Sequence, residues 1–227
     1  MTLSRKGKVF IITGAASGIG RAVAQKLDTL GAILCLYDIQ PPNLQETLHH
    51  LTSPALHSTY TCDVSSSEAC TAVAAFVYEK HNRIDGLLNC AGINPSSLPL
   101  AETNDAYIAK IINTNLIGTI YMSRACFPFI PSGGVILNIS SELGLRGAGG
   151  MSIYCAAKFG VVGFTKALAL EVGEKGVRVN AVAPGPIDTP TMLGNVVGVD
   201  YNKRVAERIG LRRVGRPEEV ASVVAFV

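Results

Sequence analysis

Tyr154 and Lys158 stand four residues apart, and Ser141 lies thirteen residues before the tyrosine. Residues at i and i+4 share one face of a helix. On such a face an ammonium favours the phenolate and is expected to pull a phenol pKa from about 10 towards neutrality. A phenol tuned in this way exchanges a proton with a substrate oxygen near pH 7. A serine hydroxyl delivered from a separate strand end can hold that same oxygen. Of the seven tyrosines, only Tyr154 has a lysine four residues later. The pair alone is also the pattern of an ordinary amphipathic helix with a surface lysine, so the elements around it decide its meaning.

Six short, mostly continuous apolar runs read as strands of a parallel sheet covered on both faces: 8–13, 32–37, 57–62, 86–89, 135–140 and 177–183. Helix signals fall between them. Gly31 stops the first helix and Pro41-Pro42 opens the second. Ser65 with Glu68 reads as a capping box for the third. Thr103 or Asn104 begins one longer helical region to about Phe127, Ser152 opens the helix carrying Tyr154 and Lys158, and Pro217 opens a last helix that reaches Val227. This alternation predicts right-handed crossovers and a doubly wound, Rossmann-type α/β sheet. One domain is expected over 1–227, with 189–216, the longest stretch without a strand, as a substrate-binding loop or lid.

With 227 residues, 48% apolar and 16% charged, the chain can bury a sizeable core. A net charge of +3 makes no case for nucleic acid or an anionic membrane as partner. The apolar run behind Arg5 and Lys6 breaks at Gly14, so no signal peptide is expected there, and no stretch reads as approaching the ~20 apolar residues of a membrane span. Cys35, Cys62, Cys70, Cys90, Cys126 and Cys155 contain no Cys-x-x-Cys pair and read as reduced thiols, mostly buried, of a cytoplasmic protein. His49, His50, His57 and His81 have no metal-ligand spacing with them, so no metal is expected.

The turn Thr13-Gly14-Ala15-Ala16-Ser17-Gly18-Ile19-Gly20 follows the first strand and opens a helix. Its three glycines let the backbone turn sharply and approach a pyrophosphate at the positive helix end. The spacing is Gly-x-x-x-Gly-x-Gly, so position rather than pattern carries the weight. Asp38 ends the second strand, where a carboxylate accepts hydrogen bonds from adenosine ribose hydroxyls and repels a 2′-phosphate. No basic residue stands at Ser17 or directly after Asp38, and both points favour NAD over NADP. Arg21 adjoins the turn and leaves use of both nucleotides open.

Taken together, these residues resemble the short-chain dehydrogenase/reductase family in its compact form, and the likeness runs in order through the chain. Asp63-Val64 looks like the family's adenine-contacting step. Asn89-Cys90-Ala91-Gly92 is similar to its Asn-Asn-Ala-Gly motif behind the cofactor, with Cys90 in place of an asparagine. Asn115, Ser141, Tyr154 and Lys158 fit its catalytic tetrad, and the thirteen-residue step selects Ser141 over Ser140. Pro184-Gly185-Pro186-Ile187-Asp188-Thr189 looks like the segment whose apolar residue and threonine, here Ile187 and Thr189, touch the nicotinamide carboxamide. The resemblance implies hydride exchange between nicotinamide and a carbinol or carbonyl carbon. Tyr154 would be the proton carrier, Ser141 would hold the substrate oxygen, Lys158 would act on the tyrosine and the nicotinamide ribose, and Asn115 would hold a water on a proton relay. It also implies a seventh strand that helps build homodimers and homotetramers; because the sequence ends at Val227, the sixth strand is expected at an open sheet edge.

The substrate is less determined. Leu143, Leu145, Ile153, Met192, Leu193 and Val196 suggest an apolar wall, with Gly147, Gly149 and Gly150 leaving room for a bulky secondary alcohol such as a steroid, terpenoid or polyketide. Arg208, Arg212, Arg213 and Arg216 read as a solvated helix face rather than an anion site. An NADPH-dependent carbonyl reductase and a non-catalytic NAD-binding protein of the same fold stand as the alternatives.

Overall fold

The computed structural model describes residues 4–94, 97–190 and 205–227. Each predicted apolar run is a strand: β1 (Val9–Thr13), β2 (Ile33–Asp38), β3 (Ser58–Thr61), β4 (Gly86–Asn89), β5 (Val135–Ile139) and β6 (Arg178–Val182). They read as continuous runs because both sheet faces are covered. Along β1, Phe10 and Ile12 enter one core while Val9 and Ile11 enter the other. Helices α1 (Gly18–Thr29), α2 (Pro41–His49) and α7 (Pro217–Phe226) pack on the first face through Val23, Leu27, Leu44 and Val224. Helices α3 (Ser67–His81), α5 (Gly118–Cys126) and α6 (Ser152–Val172) pack on the second through Val77, Met122 and Val172.

The strands are parallel in the order β3-β2-β1-β4-β5-β6. The winding therefore reverses between β1 and β4, which opens a crevice at their carboxyl ends, the place where such sheets bind ligands. β6 lies at one edge of this sheet.

Three local expectations need correction. The cap of α3 is Ser66, whose Oγ accepts from Ala69 N–H at 3.2 Å; Ser65 instead bonds Asp63. Ser66 wins because Asp63 draws Ser65 into its own turn. The helical region after Asn104 is not one α-helix but α4 (Asp105–Ile112), a π-turn over Asn113–Ile117, and α5. Here Asn115 Nδ2 takes Ile111 O at 3.0 Å, the carbonyl that its own backbone N–H would otherwise use. Finally, the helix Ser152–Lys175 is long and apolar enough, by length and composition, to cross a bilayer, with a mean hydropathy of 1.4. In the fold its buried residues, among them Cys155, Lys158, Val161 and Thr165, face the protein interior.

Candidate active site

The turn after β1 is shaped by two close approaches. Gly14 has φ +66°, and a Cβ there would lie 2.7 Å from the Ala91 backbone. A Cβ on Gly20 would lie 2.1 Å from Gly14 O. Only glycine lets α1 start this tightly against the turn. Ser17 caps α1 in an extended conformation without a side-chain cap bond, and the first turn carries no acidic side chain. The first N–H groups, at Gly18, Ile19 and Gly20, and the positive helix end thus retain their capacity for an anion.

Asp38 ends β2 beside this turn. Its Oδ2 accepts from Ala16 N–H and its Oδ1 from Gln40 N–H, each at 3.1 Å. A carboxylate has about four acceptor positions, so room remains for two hydroxyls. Cys62 N–H donates to Asp38 O at 2.9 Å and brings Asp63 and Val64 alongside. Asp63 is exposed, with Oδ1 taken by Ser65, whereas Val64 is buried under α5, where a Cβ on Gly118 would come within 2.6 Å of it. The Asn89 side chain turns inward: Nδ2 donates to Asn138 Oδ1 at 2.8 Å and to Ser123 Oγ at 3.1 Å. Its Nδ2 ties β4 to β5 and α5, while Oδ1 is buried without a hydrogen-bond partner among the described residues. Thr13, at the head of the glycine turn, has a role the motif reading overlooked: its Oγ1 accepts Ala91 N–H at 3.2 Å and joins the two turns that floor the crevice.

At the other end, Ser140 and Ser141 separate. Ser140 is buried and donates to Lys158 O at 2.9 Å, which fixes α6 against the end of β5. Ser141 caps the turn Glu142–Gly144; its Oγ accepts Leu143 N–H at 3.1 Å, and the hydroxyl is near enough to the Tyr154 phenol to lower its pKa. Lys158 is 4% exposed, donates to Ile139 O at 2.9 Å, and lies 5.7 Å from the Tyr154 ring centre. Asn115 is locked on Ile93, accepting its N–H at 3.2 Å and donating to its carbonyl at 3.0 Å. Asn115 and Lys158 converge on Gly92, where a Cβ would lie 2.8 Å from Asn115 Oδ1 and 3.6 Å from Lys158 Nζ. The four residues Asn115, Ser141, Tyr154 and Lys158 thus gather from the end of β5, the π-turn and α6 at one end of the crevice. The amide contacts described for Asn115 are all with backbone, not with Lys158.

The electrostatics differ from the expectation. Burial raises the Tyr154 phenol above its ordinary value, and the bond to Ser141 only partly offsets this. Burial also lowers Lys158 to about 8. In the protein alone desolvation therefore holds the phenol protonated at neutral pH rather than drawn towards ionisation. The neighbouring Cys90 thiol is pushed up to about 12 by burial and is no nucleophile at neutral pH.

The segment after β6 closes the crevice. Glu142 N–H donates to Pro184 O at 2.8 Å, while Thr189 lies against the glycine turn, 3.1 Å from a Cβ placed on Gly18. Ile187 bridges to Gly215, so the ends of the expected loop 189–216 meet. Met192, Leu193 and Val196 lie outside the described residues. Of the expected apolar wall, Leu145 is exposed and Leu143 and Ile153 are half-buried. Gly147 and Gly149 face open space, as a roomy mouth requires, but Gly150 does not: a Cβ there would meet Ser97 Oγ at 2.1 Å. Arg213 is spent on Glu219, at 2.6 and 2.8 Å.

A glycine cradle at an uncapped helix start, an aspartate with spare acceptors and a hydroxyl–phenol–ammonium cluster farther along one crevice fit a dinucleotide with its reactive end at Tyr154. No group of histidine, cysteine or acidic residues suited to a metal occurs among the described residues. Fold and site together define a nicotinamide-dependent oxidoreductase. A family model described as enoyl-(acyl carrier protein) reductase matches residues 14–227. A short-chain dehydrogenase/reductase, ABA4, from Pyricularia oryzae is 38% identical over 97% of this chain and 85% of its own length. A 3-oxoacyl-[acyl-carrier-protein] reductase, FabG, from Thermotoga maritima is 36% identical over 98% and 90%. The crystal structure of a short chain dehydrogenase from Burkholderia cenocepacia J2315 in complex with NADP superposes with a TM-score of 0.91 at 28% identity, covering 98% of this chain and 90% of that one. The chain belongs to the short-chain dehydrogenase/reductase family.

Proposed function

We propose that this protein interconverts a secondary alcohol and a ketone with NAD(H), on a substrate with a bulky apolar body. The observation that carries this reading is the gathering of Ser141, Tyr154 and buried Lys158 at one end of the crevice. A bound nicotinamide would supply or accept the hydride at the substrate carbon. Ser141, with Leu143 N–H on its oxygen, donates to the substrate oxygen and fixes its place. Tyr154 gives its proton to that oxygen in reduction and takes it back in oxidation. Because burial keeps the phenol protonated, reduction suits neutral pH and oxidation gains as pH rises. The relative named for 3-oxoacyl reduction supports the ketone direction.

Asp38 supports NAD, since a 2′-phosphate would meet a carboxylate already fixed by two backbone N–H groups. The opposing observation is the NADP complex of the Burkholderia relative, which favours an NADPH-dependent carbonyl reductase. A screen of secondary alcohols and ketones with both dinucleotides, followed by near-ultraviolet absorbance, separates the two. In that assay Asp38→Ala is expected to weaken NAD use about tenfold and to narrow the NAD preference by at least as much. Equal use of NAD and NADP by the unaltered protein would refute the NAD assignment. Turnover of none of these compounds, despite tight NADH binding, would favour a non-catalytic binder.

A further inference from the structure

The glycine turn is held from behind by side chains that no step above uses. Arg21, the residue after Gly20, reaches across to α2. Its Nη2 donates to Ala16 O at 2.6 Å and to Glu46 Oε2 at 2.7 Å, and its Nε donates to Thr47 Oγ1 at 3.0 Å. Thr47 is fully buried and donates in turn to Ala15 O at 2.9 Å. Ala16 is therefore pinned twice: its carbonyl by Arg21, and its N–H by Asp38 Oδ2 at 3.1 Å. A guanidinium is planar, always charged and stiff when it bonds in several directions. The Arg21 guanidinium holds the Glu46 carboxyl below the usual carboxylate range. The positive charge that α1 brings next to the adenosine end is thus cancelled from α2 and turned towards the protein.

We propose that Arg21, Glu46 and Thr47 form a latch that fixes the Ala15–Ala16 peptide and, through it, Asp38, and so helps set the choice between NAD and NADP. Arg21 and Thr47 are positioning residues that act through Ala16. Glu46 has the added role of neutralising a cation that would otherwise attract a 2′-phosphate. This inference rests on the reading of Asp38 as the ribose acceptor.

Steady-state kinetics with both dinucleotides test it. Arg21→Ala removes the latch and is expected to raise the KM for NAD about tenfold, with the loss in KM rather than kcat. Thr47→Val removes its hydroxyl at nearly constant volume and is expected to raise that KM about threefold, with recovery in Thr47→Ser. Glu46→Gln keeps an acceptor but removes the charge. It is expected to improve kcat/KM with NADP roughly five- to tenfold at low ionic strength, with less gain in high salt. Should Arg21→Ala not fold, Glu46→Gln, at an exposed site, decides. The latch is overturned if the NAD-to-NADP ratio of kcat/KM stays within twofold of the unaltered protein in the folded variants. If the unaltered protein uses both dinucleotides equally, the Asp38 reading fails on its own. The latch is then judged by the KM for NAD in Arg21→Ala: a rise supports it and an unchanged value overturns it.

Discussion

Replacing Tyr154 with phenylalanine is expected to reduce turnover roughly a thousandfold while NADH still binds. The change deletes one oxygen and keeps the ring that packs at the start of α6. What disappears is the proton carrier and the partner of the Ser141 hydroxyl. The expected loss follows from the worth of a positioned general acid, about 10²–10⁴ in rate. Single-turnover reduction of a reactive ketone isolates the chemical step, and NADH fluorescence titration reports binding. Because burial raises the Tyr154 phenol, the unaltered enzyme should lose ketone-reducing activity, and gain oxidising activity, as alkaline pH begins to ionise it. Tyr154→Phe should flatten both limbs. Turnover within a few-fold of the unaltered enzyme would remove Tyr154 from the chemistry.

The second large effect concerns Lys158, where function and stability should move in opposite directions. Lys158→Met is expected to lose at least roughly a hundredfold in activity and yet to stabilise the cofactor-free protein at pH 7. Burial lowers Lys158 from 10.5 to about 8. Below pH 8 both folded and unfolded chains carry the ammonium, and the folded one bears the full cost of burying it. Between pH 8 and about 10.5 the folded chain sheds its proton first, so the cost drains away; above that it is gone. Its size is about 3 kcal/mol. Leaving Ile139 O without its donor costs about 1 to 2 kcal/mol in the variant. A net gain of about 1 to 2 kcal/mol is therefore expected below pH 8, shrinking as pH rises towards 10.5. Urea unfolding of both proteins between pH 6 and 10.5 checks this. A destabilised variant at pH 7 would mean that Lys158 is not buried as a costly cation.

The same lysine shows where sequence reading reaches its limit. Spacing alone places Tyr154 and Lys158 on one helix face, and both do lie there. Spacing also suggested that the ammonium would pull the phenol towards ionisation. The structure buries Lys158 and sends its Nζ to Ile139 O, while desolvation of the half-buried Tyr154 raises its phenol. Likewise the start of a helical region at Asn104 is legible in the sequence, but its π-turn accompanies a side-chain amide that takes Ile111 O. Arg21 read as a basic residue beside the turn that left use of both nucleotides open; its engagement by Glu46 joins residues twenty-five positions apart.

By itself the sequence determined the strands, their parallel, doubly wound class, the glycine turn and the Tyr154–Lys158 pair, while Asn115 and Ser141 followed from the family resemblance. These are local matters: apolar runs that alternate into two cores, glycines where a Cβ cannot fit, and spacings along one helix. Tertiary structure alone decided which way each polar head turns. Ser140 faces α6 and Ser141 faces Tyr154; Asn89 serves the core; Ala16 is clasped between Arg21 and Asp38. The physical reason is that a buried polar group must find a partner. The available partners are carbonyls and carboxylates brought close only when strands and helices distant in the chain have packed together.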